Sequence, residues 1–267
     1  MISKNSNYET ILENDSLKIC NSVIKKFINQ NNLYNKVVSD AYLKSLIIIF
    51  LNGQPGKVHK KIFQKKKIPI IIFRTLEEKI LTLELIKYYN INVKFLEKIS
   101  FIYKIKNHFF IFILFLISKI VFIKNNSINK NLSICFIKNK SSKIKFLTYL
   151  KKFNKKKIFF SYEFFDIITF YIKNLYKFKR LKNTFICSQY ITINKHLIKK
   201  KIYADILNHY SPKSAFFFEG DSEDDNLISF LSDNNKIKSI CFQSGGFSNN
   251  TPKACFYKMN MNFFLAW

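Results

Sequence analysis

The sequence predicts an α/β fold: a mostly parallel sheet with helices on both of its faces. Three observations predict it. Short apolar runs rich in Ile and Phe, as suits strands buried on both sides, recur along the chain. They stand roughly 25–30 residues apart with longer amphipathic stretches between them, the spacing of βαβ units. No internal repeat and no Pro- or Ser-rich linker interrupts the alternation.

Taken in order, residues 8–30 read as a first helix. The run LIIIFL at 46–51 reads as a strand, as do 69–73 and 92–95, with a helix over 76–89 between the last two. A helix over 101–124 follows. The strands 132–137, 157–161 and 184–187 then alternate with helices over 142–152 and 163–182. A helix over 194–209 leads to the strand 215–219, a helix over 223–233, the strand 238–243 and a last strand, 263–267. The run Lys155–Lys157 is most simply a solvated turn. This alternation is Rossmann-like. It suggests an N-terminal α/β region over 1–130, carrying the basic and apolar helix 101–124, and βα units over 131–267. One continuous domain, 1–267, is the alternative.

The 267 residues are about half hydrophobic, enough for a sizeable core. Forty-five basic residues against seventeen acids give a net charge of +28. Only Arg74 and Arg180 are arginine. Arginine supplies the planar fork that reads guanine and grips phosphate, whereas lysine is a mobile point charge. With no RRM, zinc-finger or helix-turn-helix signature, nucleic acid is disfavoured as a partner. Lys, Asn, Ile, Phe and Tyr are enriched together, as an AT-rich genome enriches them. The charge is also uneven: residues 211–267 carry five lysines and six acids, so residues 1–210 carry +29.

Glycine occurs only at Gly53, Gly56, Gly220, Gly245 and Gly246, where average usage would give roughly nineteen. Neither GxGxxG nor GxxxxGK[ST] exists. A glycine kept in so poor a background is expected to have a backbone reason. The five cysteines form no CxxC pair. Those in apolar runs read as small buried hydrophobes. The odd number and the polar N-terminus suggest a reducing, cytoplasmic compartment.

The stretch 109–123, FFIFILFLISKIVFI, is the most apolar. Lys106, His108 and Lys124 flank it and Lys119 interrupts it. Three readings stand: a core helix, an in-plane helix at an anionic membrane surface, and a membrane span shorter than the usual twenty or so residues.

Open α/β sheets bind ligands at the carboxyl ends of their strands. Two such ends draw attention. In AFFFEGDSEDD the strand is followed by Glu219, Gly220 and Asp221, then by an acidic helix start. Asp221 or Ser222 caps that helix, or Glu219 or Asp221 binds a substrate hydroxyl or acts as a base. In SICFQSGGFSNNTP the strand ends at Gln243, and Ser244, Gly245 and Gly246 follow. Paired glycines let backbone N–H groups approach an anion, although a plain loop is also open. Ser244 is not placed in GxSxG, which argues against a nucleophile. His59, His108, His196 and His209 are scattered. No metal site is suggested.

The order of EGD, an acidic helix, Q-x-G, a polar loop with proline, and F-L-A-W resembles the end of the N-terminal domain of bacterial surface-polysaccharide glycosyltransferases of the GT-B type. CDP-glycerol glycerophosphotransferase-like enzymes share the pattern loosely. The carrying residues are Glu219-Gly220-Asp221, Gln243-Ser244-Gly245 and Leu265-Ala266-Trp267, within about the last 55 residues. The resemblance implies one half of a GT-B architecture, taking part in cell-envelope polysaccharide synthesis. Glu219 and Asp221 would be its catalytic carboxylates. Gly220, Gln243, Ser244, Gly245 and Gly246 would contact substrate. The acceptor would be a carbohydrate or lipid-linked molecule. The donor would be a nucleotide-activated sugar or alcohol, with no bound cofactor. Such enzymes often dock on the inner face of the membrane. Ser244 stands where the family usually has histidine, so that imidazole's role is lost. The chain stops where the family's second domain would start, so a missing domain or partner subunit is expected. The competing expectation is a non-enzymatic basic domain that binds a membrane surface or an acidic polymer.

Overall fold

The computed structural model describes residues 2–30, 36–68, 71–92, 99–122, 129–137, 140–151, 156–161, 164–174, 178–180, 189–218, 222–243 and 261–265. These fall into two compact units. One comprises the described residues up to Phe112 with 189–196; the other comprises the rest.

The first unit is helical. Its elements are α1 (Ile2–Gln30), α2 (Lys36–Asn52), α3 (Gln54–Phe63), α4 (Leu76–Tyr88) and most of α5 (Phe101–Ser118). Ile19, Cys20 and Val23 of α1, Leu46, Ile47 and Phe50 of α2, Val58 of α3, and Leu81 and Leu85 of α4 are buried. The start of α4 follows from its sequence. Thr75 accepts a hydrogen bond from the Glu78 N–H at 3.1 Å, and the Glu78 carboxylate reaches back to the Arg74 N–H at 2.7 Å. This is close to a capping box, which satisfies donors that the first helical turn leaves open.

The run 46–51, expected as a strand, lies inside α2. Its residues are buried on several sides: Leu46, Ile47 and Phe50 are fully enclosed and only Ile48 is exposed. A helix so enclosed loses its polar face, and with it the 3.6-residue signal. Of the expected strand 69–73, residues 69 and 70 lie outside the described residues and Phe73 makes one parallel bridge, to Ile99. The expected strands 92–95 and 184–187 fall largely or wholly outside the described residues.

Gly53 and Gly56 have the backbone reason expected of them. A Cβ on Gly53 would lie 2.4 Å from the Ile49 carbonyl oxygen; one on Gly56 would lie 2.7 and 2.8 Å from the Phe50 and Leu51 carbonyl oxygens. The Gly53 N–H closes α2 by donating to that Ile49 oxygen at 2.8 Å. The missing side chains let α3 begin directly against the end of α2.

The second unit holds the predicted α/β architecture. Five strands, β2 (Asn129–Ile137), β3 (Lys156–Ser161), β5 (Pro212–Phe218), β6 (Lys238–Phe242) and β7 (Phe263–Leu265), form one parallel sheet in the order β3-β2-β5-β6-β7. Cys135, Phe216, Phe218 and Phe242 on one face pack against Phe146 of α6 (Lys140–Tyr149) and Leu150 just beyond its end. Side chains alternate along a strand, so Phe136 and Phe160 point the other way. Their rings meet Tyr203 of α8 (Ile191–Tyr210) and Phe170 of α7 (Phe164–Lys173). On that same face Ser229 of α9 (Glu223–Asn234) donates to Ser239 at 3.2 Å. Helices thus cover both faces, and the fold is Rossmann-like.

Two expected helices end early. That over 101–124 stops at Ser118, and residues 120–122 form β1 (Ile120–Phe122). That over 163–182 gives way to β4 (Phe178–Arg180), which pairs antiparallel with β1. Continuous hydrophobicity hid the first change, because a short apolar run suits a helix or a strand equally; β4, the tripeptide FKR, carries two cations and offers no apolar run to announce a strand. Among the described residues no helix is long and apolar enough to cross a membrane. The core reading of 109–123 also needs correction. Leu114 is buried, whereas Phe109, Phe112, Phe115 and Leu116 are exposed.

Candidate functional site

The sheet order places a topological switch point between β2 and β5. The chain first adds β3 on one side of β2, then crosses to build β5, β6 and β7 on the other. In this strand order the crevice that takes ligands lies outside the carboxyl ends of the two strands flanking the reversal. Residue 219 is the first beyond the carboxyl end of β5.

The register sharpens this placement. Phe218 of β5 pairs with Phe242 of β6, and Phe242 pairs with Leu265 of β7. The last residues of three adjacent parallel strands therefore form one row. Each of the three sequence motifs starts at that row: EGD after Phe218, Q-x-G after Phe242, and L-A-W at Leu265. Gln243 lies at the rim, half-buried, and its N–H donates to the Leu265 carbonyl at 3.0 Å. Glu219, Gly220, Asp221, Ser244, Gly245 and Gly246 lie outside the described residues, as do Ala266 and Trp267. The three motifs leave from one rim because the strands are parallel and in step; nothing in their spacing along the chain states this.

The start of α9 is defined. Ser222 is the cap, accepting the Asp225 N–H at 3.2 Å. Of the two expected capping residues it is Ser222 that serves. Glu223, Asp224 and Asp225 occupy the first turn, where the helix dipole favours negative charge. Asp224 is held from α8: Lys199 Nζ lies 2.7 Å from its carboxylate, and the Tyr203 hydroxyl donates to it at 2.8 Å. Lys199 also lies 3.8 Å from Glu223. Burial, and then the Asp224 charge, push the Tyr203 hydroxyl well above its ordinary pKa. Lys199 and Tyr203 escaped the sequence reading. They stand four residues apart and so share one helix face, but their partner is more than twenty residues further on.

The chemistry at this strand end follows from the charges. Three carboxylates in the first turn of α9 disfavour a phosphate there, despite the helix N-terminus. Hydroxyl or cationic groups suit it better.

Elsewhere the titratable residues serve structure. His59 Nε2 lies 3.0 Å from Asp15 Oδ2, and the Tyr89 hydroxyl donates to the same carboxylate. His59 and Asp15 are both buried. Ser45 Oγ lies 2.9 Å from His196 Nε2, but both residues are buried and closed to substrate. Glu77 accepts the Thr192 N–H at 3.0 Å and the Tyr103 hydroxyl at 3.2 Å, satisfying a donor in the first turn of α8. His108 is exposed, with Nδ1 2.8 Å from the Lys104 carbonyl. His209 packs its ring on Phe170 and Tyr210. Among the described residues no three His, Cys, Asp or Glu side chains group to hold a metal. Cys20, Cys135 and Cys241 are buried free thiols, and burial pushes Cys135 up to about 12. Compared with protein-family models, curated proteins and solved structures, the chain matches none.

Proposed function

We propose that the second unit is the acceptor-side domain of a glycosyltransferase-like enzyme of the GT-B type, working in surface-polysaccharide assembly. The observation that carries this reading is the row Phe218–Phe242–Leu265, from which all three motifs start at one rim, the first of them, after β5, bordering the switch point. In this reading Glu219 or Asp221 orients or deprotonates an acceptor hydroxyl. That role suits a strand end whose neighbouring helix is already rich in acid. The N–H groups of Gly245 and Gly246 stabilise negative charge that develops on the transferred group. A second α/β domain binds the donor, a nucleotide-activated sugar or alcohol. The acceptor is a carbohydrate or a lipid-linked molecule.

The test is donor turnover. The chain, alone and together with a second α/β domain encoded beside it, is incubated with CDP-glycerol or nucleotide sugars and a lipid-linked acceptor extract. Release of nucleotide is then measured. Asp221→Asn combined with Gly245→Val should abolish turnover while Ser222 still caps α9 and the fold persists. Undiminished turnover in that variant, or none in the wild type with its neighbouring domain, removes the reading.

A further inference from the structure

The α5 helix exposes large apolar side chains where a surface helix normally carries polar ones. Phe101, Ile102, Ile105, Phe109 and Phe112 are 74, 62, 54, 54 and 58% exposed. At 100° per residue they occupy one arc of roughly a third of the helix circumference. The opposite side holds Tyr103 and Asn107, both buried. Asn107 is fixed there, donating to the Gln189 carbonyl at 2.8 Å and accepting from Asn194 at 2.8 Å. The helix is therefore anchored by polar contacts on its inner side and turns its apolar side to solvent. Surface helices of globular domains normally do the reverse.

Charge borders the arc. Lys104 flanks one edge and Lys106 the other, and both are exposed. From residue 98 to residue 162 the sequence has fifteen lysines and no acid.

We propose that this face of α5 is a docking site for an anionic phospholipid surface, with the helix lying in the plane of the interface. An apolar strip at headgroup depth with lysines along both margins is the layout such a surface rewards. The rings enter the acyl boundary, the lysine stems run beside them, and the ammonium groups reach the lipid phosphates. The charge chooses this occupant over a second copy of the chain. Two copies of the face would bring Lys104 and Lys106 against their own kind, and α5 has no acid to pair with them. The inference stands apart from the transfer reading: it uses no residue of the β5–β7 rim, and either can fail alone.

Flotation of the full chain with vesicles tests it. Phosphatidylcholine vesicles are compared with vesicles containing 30% phosphatidylglycerol, at low and at high NaCl. The wild type should float with the anionic vesicles at low salt and remain largely unbound to pure phosphatidylcholine. Phe109→Ser with Phe112→Ser should keep the helical circular-dichroism signal and lose about tenfold or more in partitioning. If that variant unfolds, Lys104→Gln with Lys106→Gln, at two exposed positions, should lower partitioning by about tenfold. Wild-type protein that does not bind, or binding that survives both substitutions, overturns the proposal. So does a dimer that the phenylalanine variant dissolves when no vesicle binding is seen, which would assign the face to a second copy.

Discussion

Asp205 lies buried on α8, with its carboxylate between Lys201 Nζ at 2.5 Å and the Tyr171 hydroxyl at 2.8 Å. Burial raises its pKa above the ordinary carboxylate value, and the Lys201 charge and both hydrogen bonds only partly offset that rise. The linkage has a definite sign. A carboxyl raised in the folded state binds its proton more tightly there than in the unfolded chain. Its contribution to stability is complete below the ordinary carboxylate range and is lost as pH rises through the raised value. Asp205→Asn removes the titration and keeps an oxygen for Tyr171. Urea unfolding of the two proteins at several pH values from 4 to 7 should show the variant gaining on the wild type as pH rises. A constant difference across that range would mean that Asp205 titrates alike in the folded and unfolded chains. The same environment pushes the Tyr171 hydroxyl upward, by burial and then by the Asp205 charge.

Elements show why some of this fold could be read from sequence and some could not. β2, β3, β5 and β6 were legible because each is a short apolar run bounded by polar residues, and α9 because Ser222 and three acids announce its start. The α2 helix was not, since burial of Leu46, Ile47 and Phe50 erased its polar face. The α3 helix was missed with it, although Pro55 in its first turn and Gly53 before it are start signals. At the candidate site, motif order along the chain was legible. The shared row Phe218–Phe242–Leu265 was not, because strand order and register are tertiary facts. The α2–α3 junction makes a sharp prediction. Gly56→Ala would set a methyl within 2.8 Å of two carbonyl oxygens that belong to backbone and cannot swing away. Although alanine favours helices, overpacking should dominate and cost about 1–3 kcal/mol in chemical denaturation. Stability equal to or above wild type would show that α2 and α3 can part at little cost.

Over the whole molecule, charge is the largest unbalanced quantity. Seventeen acids cannot neutralise forty-five basic residues, and Asp15, Asp205 and Asp224 are already engaged by His59, Lys201 and Lys199. The surplus of 28 is spread over 15945 Å² of solvent-accessible surface. That is about 570 Å² for each unbalanced charge, a spacing of about 24 Å, to be compared with screening lengths of about 30 Å at 0.01 M salt and 8 Å at 0.15 M. At low salt the screening length exceeds this mean spacing; at physiological salt it falls well short of it. Self-repulsion of this kind loads the folded state more than the expanded one, because unfolding moves the charges apart. The midpoint of thermal unfolding should therefore climb as NaCl rises from 0.01 to 0.15 M, by about 2–4 °C for each kcal/mol of repulsion relieved, and then level off once screening is shorter than the charge spacing. The plateau separates this effect from a general salting-in or salting-out trend, which would continue at higher concentration. A midpoint that stays flat below 0.15 M would show that the lysines, dense between residues 98 and 162, stand no closer together in the folded protein than in the unfolded chain.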